Sequence, residues 1–265
     1  MNDRTAVRRL SPRRWRILSF LAQHGSASTL DVALVCDVSR LTAHRDLAWL
    51  HDAGLVRRDR SAEDRTHTWW YAATAQGAEL LSRELAASGR SVPLQLGRRH
   101  PSPADALLFL PLVEVSRRNA GTCELFQWLA TMETSAWLRQ HDLAHLRADG
   151  YGVWLEDGRC LRFLVHVDRG PVGDAIAEQE KRTSGLSGLL TGYRRSHRAV
   201  PVGAVLIIAQ DAEREEQLLT DLVRDPLRPQ IAVTTREMLY RHWPNDQVWR
   251  LPGDGMARRL TDLGA

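Results

Sequence analysis

A chain of 265 residues has room for two cores, and a composition of 43% hydrophobic and 26% charged residues excludes a wholly disordered protein. The basic residues are all arginine except Lys181, and the net charge of +4 is gathered early: Arg4, Arg8, Arg9, Arg13, Arg14 and Arg16 stand against Asp3 alone, an arm suited to phosphate. No apolar run approaches the ~20 residues of a membrane span, and Cys36, Cys123 and Cys160 lack CxxC or histidine spacing, which argues against a disulfide framework or a zinc site and for a cytoplasmic protein.

Trp15, Leu18, Leu21 and Ala22 recur at helical spacing, predicting a helix from Ser11 to His24 that Gly25 ends. A second short helix starts at Thr29 or Asp31 and carries Val32, Leu34 and Val35, with a turn at Asp37 and Val38. In the stretch from Val38 to Leu50, Leu41, Ala43, Leu47 and Leu50 are read as one apolar face. Ser39, Arg40, Thr42, His44 and Arg45 are left free to enter a groove. Arginine forks onto guanine edges, hydroxyls bond phosphates and a helix N-terminus attracts one, so Arg40, Thr42 and His44 are the candidates for base contact.

Gly54 closes that helix, Leu55-Val56 opens a strand, and Arg57, Arg58, Arg60 and Arg65 surround a polar turn before Thr68-Trp69-Trp70-Tyr71-Ala72 returns. This succession, followed by Thr74-Ala75-Gln76-Gly77 and an apolar helix, resembles the winged-helix regulators of the multiple-antibiotic-resistance type from Leu10 to Ala87. The resemblance implies a winged helix-turn-helix that binds double-stranded DNA, with Arg60 and Arg65 of the wing on phosphates and the minor groove. It also makes a homodimer on two half-sites an expectation.

The expected organisation is a winged helix over residues 1–88, a linker rich in glycine, proline and arginine over 89–104, and a second, mixed α/β domain over 105–265. Leu107, Leu108, Leu110 and Leu112, then Leu125, Trp128 and Leu129, are read as two helices, the first kinked or divided by Pro111. Asp157-Gly158 lies between two β-rich runs, predicting a hairpin in which Glu156 pairs with Arg159 and Asp149 falls opposite His166. Asp168 shares that face, so Asp149, His166 and Asp168 can meet around one ion or one water, outside the tightest core. Val202–Ala209 reads as a buried central strand followed by a helix from Glu213 to Val223.

Taken in order, His100, Leu125-Phe126-Gln127-Trp128, Arg147–Gly152, Phe163–Gly170 and Tyr193 resemble the replication-relaxation family of actinobacterial plasmids and mobile elements. The resemblance implies a winged helix joined to a restriction-endonuclease-like domain of the PD-(D/E)xK kind. Asp149 would begin one strand and help hold Mg2+. The chain departs from the pattern at His166, where glutamate is expected and where imidazole suits Mn2+ or Zn2+ better, and at Asp168, where lysine is usual. Two readings of the trio follow. Either Asp149 and Asp168 hold a metal, with His166 as third ligand or base, or the fold is inactive, with His166 bonded to Asp149 and Asp168 paired to Arg169 or Arg162. The functions to weigh are a DNA-binding accessory protein of a plasmid or integrated element, working with replication or transfer proteins, and a metal-dependent endonuclease or nickase. A third is a transcription regulator that senses a ligand near Trp154, Arg162 and His166.

Overall fold

The computed structural model describes residues 10–60, 68–89, 91, 93–94, 102–168, 192–193, 201–224 and 229–264. The chain divides into two compact units, residues 1–102 and 103–265.

In the first unit, helix α1 (Pro12–His24) starts where Ser11 Oγ accepts the Arg14 amide at 3.3 Å and Pro12 presets the first turn. It stops at Gly25, whose φ of 93° suits glycine. Strand β1 (Ala27–Ser28) leads into α2 (Thr29–Cys36) through a reciprocal cap. The Asp31 amide donates to Ser28 Oγ at 3.2 Å, and the Ser28 amide to Asp31 Oδ2 at 2.8 Å. Asp37 turns the chain in the left-handed region and Ser39 caps α3 (Arg40–Asp52). Strands β2 (Val56–Asp59) and β3 (Trp70–Ala73) pair antiparallel, and β1 joins the far side of β3 in a three-stranded sheet. Thr74 caps α4 (Ala75–Ala87), its hydroxyl accepting the Gly77 amide and donating to the Gly54 carbonyl. Ile17, Leu18, Leu21, Val32, Leu47 and Leu50 fill the centre. This is a winged helix-turn-helix. Leu41, expected among the core residues, is instead 57% exposed. At about 100° per residue it points away from Ala43, Leu47 and Leu50.

The second unit is mixed α/β. Its first helix meets Pro111 by dividing: Asp105–Phe109 form a π-helical turn in which the Leu110 amide reaches the Asp105 carbonyl, and α5 (Leu110–Arg118) begins there. Pro111 thus falls in a first turn, where a missing amide costs least. Cys123–Ala130, read from the sequence as helical through Leu125, Trp128 and Leu129, is strand β4. A short apolar run fits either period, and pairing with the next strand decides. A bulge between Leu125 and Gln127 leaves Phe126 66% exposed on this edge strand.

After α6 (Thr131–Gln140), β5 (Gly150–Glu156) and β6 (Arg159–Val167) form the expected hairpin, with Glu156 opposite Arg159. Asp157 and Gly158 both take positive φ, as a two-residue turn of this hand requires. Strand β7 (Ala204–Ala209) runs parallel to β6, and helix α7 (Ala212–Arg224) carries the chain to β8 (Gln230–Thr235), parallel in turn to β7. Helix α8 (Arg236–Arg241) and the short strands β9 (Trp249–Arg250) and β10 (Ala257–Arg258) complete a seven-stranded sheet ordered β10-β9-β8-β7-β6-β5-β4. Both faces are covered. Trp154, Phe163, Val165, Leu206 and Trp249 belong to one core, and Tyr151, Leu164, Ile207, Leu218 and Leu222 to the other. Every residue of β7 is therefore buried. His166, expected outside the tight packing, is buried beside the second core, because helices cover that face as well.

Candidate nucleic-acid interface

Helix α3 is fixed from behind by an acid in an otherwise apolar seam. Asp46 is 2% exposed and accepts from the Nε groups of Arg13 and Arg14, the latter at 2.9 Å. The Arg14 guanidinium also lies 4.2 Å over the Trp49 ring. Burial raises the Asp46 carboxyl, but the two guanidinium groups outweigh it and hold the acid below its ordinary range. Arg13 and Arg14 therefore tie α1 to α3. They are not free as the phosphate contacts that the basic N-terminus suggests; Arg4, Arg8 and Arg9 lie outside the described residues.

At the head of α3, Ser39 Oγ accepts the Thr42 amide at 3.2 Å and shares a 2.9 Å hydrogen bond with the Thr42 hydroxyl. Both side chains thus hold the first turn. Arg40, Leu41, His44 and Arg45 are exposed, while Ala43, Asp46, Leu47 and Leu50 are buried. The outward face carries cations and one leucine.

The wing adds a second cationic element. Arg58 and Arg60 are both exposed and lie 4.9 and 5.8 Å from the Trp69 ring, which limits their wandering. Arg57 is paired with Asp59 at 2.9 Å. Arg65 lies outside the described residues. The sequence reading missed Asp46 as an anchor and Trp69 as a platform. An aspartate inside a basic helix was the available signal for the first, and an aromatic residue at the foot of an arginine-rich turn for the second.

In the second unit, Asp149, His166 and Asp168 do not converge. Asp149 Oδ2 accepts the Val167 amide at 2.9 Å, His166 Nε2 meets the Tyr193 hydroxyl at 3.3 Å, and Asp168 Oδ2 accepts Arg214 Nε at 2.7 Å. The structure thus gives His166 the Tyr193 hydroxyl and Asp168 the Arg214 guanidinium, where the sequence suggested Asp149 for the first and Arg169 or Arg162 for the second; Arg169 lies outside the described residues. Burial lowers the His166 pKa to about 3 and raises that of Tyr193. Mg2+ and Mn2+ need several oxygens aimed at one point. Among the described residues no group of three acids, histidines or cysteines could hold a metal ion, so the trio does not fit one.

The same unit has a groove of about 380 Å³ over β4, β5 and β6. Trp137 stacks on Tyr151 at 4.6 Å along one wall, and Arg162 and Gln127 also line it. Trp154, grouped with Arg162 and His166 in the ligand-sensing reading, instead lies in the opposite core, its Nε1–H donating to Glu156 at 2.9 Å.

Residues 13–62 match the DeoR-like helix-turn-helix domain, and the first unit is a DNA-binding winged-helix domain. Among solved structures, the chain is similar to the YusO protein from Bacillus subtilis at 20% identity and a TM-score of 0.30, covering 33% of this chain and 60% of that one. It is similar to MepR of S. aureus, solved as a complex with DNA, at 18% identity and a TM-score of 0.30, covering 33% and 70%. A third is ZitR of Lactococcus lactis, at 16% identity and a TM-score of 0.28, covering 30% and 53%. The chain thus spans only 60% of the first of these and 53% of the third. No curated protein matches it in sequence.

Proposed function

We propose that the chain is a cytoplasmic, DNA-binding accessory protein of a plasmid or integrated mobile element, acting in its replication, relaxation or transfer. The observation that carries the DNA part is the outward face of α3, where Arg40, His44 and Arg45 stand together with the arginines of the wing. Arginine forks read guanine in the major groove, and wing cations neutralise phosphates beside it. The mobile-element part is supported by the order of motifs that resembles the replication-relaxation family. The second unit, on this reading, is a degenerate nuclease-like fold that holds DNA or a replication or transfer protein, and two copies occupy two half-sites.

The test is competition binding of a selected duplex between about 50 and 200 mM salt. Arg40→Ala and His44→Ala relax sequence choice, each removing about 1–3 kcal/mol of discrimination. Arg60→Ala weakens every duplex alike and reduces the salt slope by about 0.9. Unchanged affinity for the selected site in all three variants overturns the model.

Because Asp149, His166 and Asp168 each have a partner inside the fold, supercoiled plasmid incubated with the protein and Mg2+ or Mn2+ stays intact. Cleavage that disappears in Asp149→Ala would restore the endonuclease reading. A second reading, a transcription regulator with a ligand site, is favoured by one observation, the aromatic groove with Arg162 in its lining. It requires release of duplex when the groove is filled.

A further inference from the structure

The geometry points to Leu41 as a specificity-determining residue that reads the 5-methyl group of a thymine in the major groove. This rests on the DNA-binding reading and adds to it a base that no cation on the helix can select. Leu41 is the second residue of α3 and is 57% exposed. The helix does not need it for packing, since Ala43, Leu47 and Leu50 are fully buried without it. At about 100° per residue, the direction opposite those three is shared by Leu41 and Arg45, one turn apart. Arg40 and His44 are exposed beside them, on the side of Leu41 away from Arg45. An apolar side chain at the centre of a cationic face would be a liability if that face met only water or only phosphate.

On the major-groove side of a base pair, thymine presents a methyl group that the other bases lack. A leucine there gains by covering the methyl and loses by covering a polar edge. Side chains one turn apart stand about 5–6 Å from each other, and successive base pairs are about 3.4 Å apart. If Arg45 takes a guanine, the thymine read by Leu41 lies within about two base pairs of it. One methyl group removed from water corresponds to about a fourfold change in affinity.

The experiment uses the full chain and a duplex enriched from a random pool, with each thymine replaced in turn by deoxyuracil, which differs only by the missing methyl. One thymine within two base pairs of a guanine should lose about fourfold in affinity on this replacement. Leu41→Ala should bind the thymine and deoxyuracil duplexes equally. Alanine favours the helix and Leu41 is outside the core, so the variant stays folded. Leu30→Ala, which removes an equally exposed leucine from α2 at 59%, should keep the difference. An enriched duplex whose thymines all tolerate the replacement, or a difference that survives in Leu41→Ala, overturns the assignment of Leu41 alone. Failure to enrich any duplex overturns the DNA-binding reading, and the assignment with it.

Discussion

Gly77→Ala strongly destabilises the winged helix. A Cβ at this position would lie 2.1 Å from the Leu55 carbonyl oxygen, 3.0 Å from its carbon and 3.1 Å from Leu18 Cδ1. The oxygen cannot retreat, because it accepts the Thr74 amide at 3.0 Å where the wing returns to α4. A flexible side chain could yield, but a backbone group held in a hydrogen bond cannot. The cost exceeds that of ordinary overpacking, at least about 3 kcal/mol. For a unit of this size that lowers the melting temperature by roughly 12–24 °C. Amide hydrogen exchange in α1 and α3 is the direct readout, since it reports the opening of this unit alone. Gly255, around which an added Cβ meets nothing within 4 Å, is the control and tolerates alanine. Native-like protection in Gly77→Ala would show that the close approach of α4 to Leu55 is wrongly placed.

Mild acid destabilises the second unit through His166. Burial alone holds this imidazole neutral, with a pKa of about 3 in the folded chain against about 6.5 for a free histidine. The unfolded chain therefore takes up a proton below about pH 6.5 that the folded chain refuses. Stability is complete above that pH and falls by about 1.4 kcal/mol per pH unit as the pH drops toward 3. Glu215 acts in the opposite sense at the acid end, because burial raises its carboxyl and the folded form then binds the proton first. The window between about pH 6.5 and 5 belongs to the histidine. Urea denaturation of the wild type and His166→Leu across that window separates the two contributions. The leucine variant is less stable at pH 7.5, where the Tyr193 hydroxyl loses its partner, but its dependence on pH is flatter. Equal slopes for the two proteins would remove His166 as the cause.

Much of the first unit was legible because its boundaries are written in side chains that act locally. Ser11, Ser28, Ser39 and Thr74 each bond an amide three residues on, and Gly25 stops α1 where the expected helix ends. The hairpin register was equally local, since a two-residue Asp157-Gly158 turn leaves one way to count. Leu41 was misplaced although the spacing held the answer. Ala43, Leu47 and Leu50 lie four and three residues apart on one face, whereas Leu41 is six before Leu47 and turns away. Strand β4 was read as a helix because its apolar run is short and its bulge breaks the alternation that marks a strand. The trio failed for a different reason. Its register was right, but the partners that take up His166 and Asp168, Tyr193 and Arg214, come 27 and 46 residues later in the chain. No local pattern announces them.

The bulge at Phe126 also bears on solubility. An outermost strand of eight residues turns a row of amides and carbonyls away from its sheet, onto which another molecule can graft its own strand, the first step toward fibrous aggregates. Here the Leu125 amide is already taken by Ser116 Oγ at 2.8 Å. An extra residue midway kinks that row and breaks its repeat, so an incoming strand finds a matching partner for only a few residues on either side of Phe126. The opposite margin of the sheet ends in a strand of two residues, too short to template anything. The sheet is thereby protected against growth at both ends.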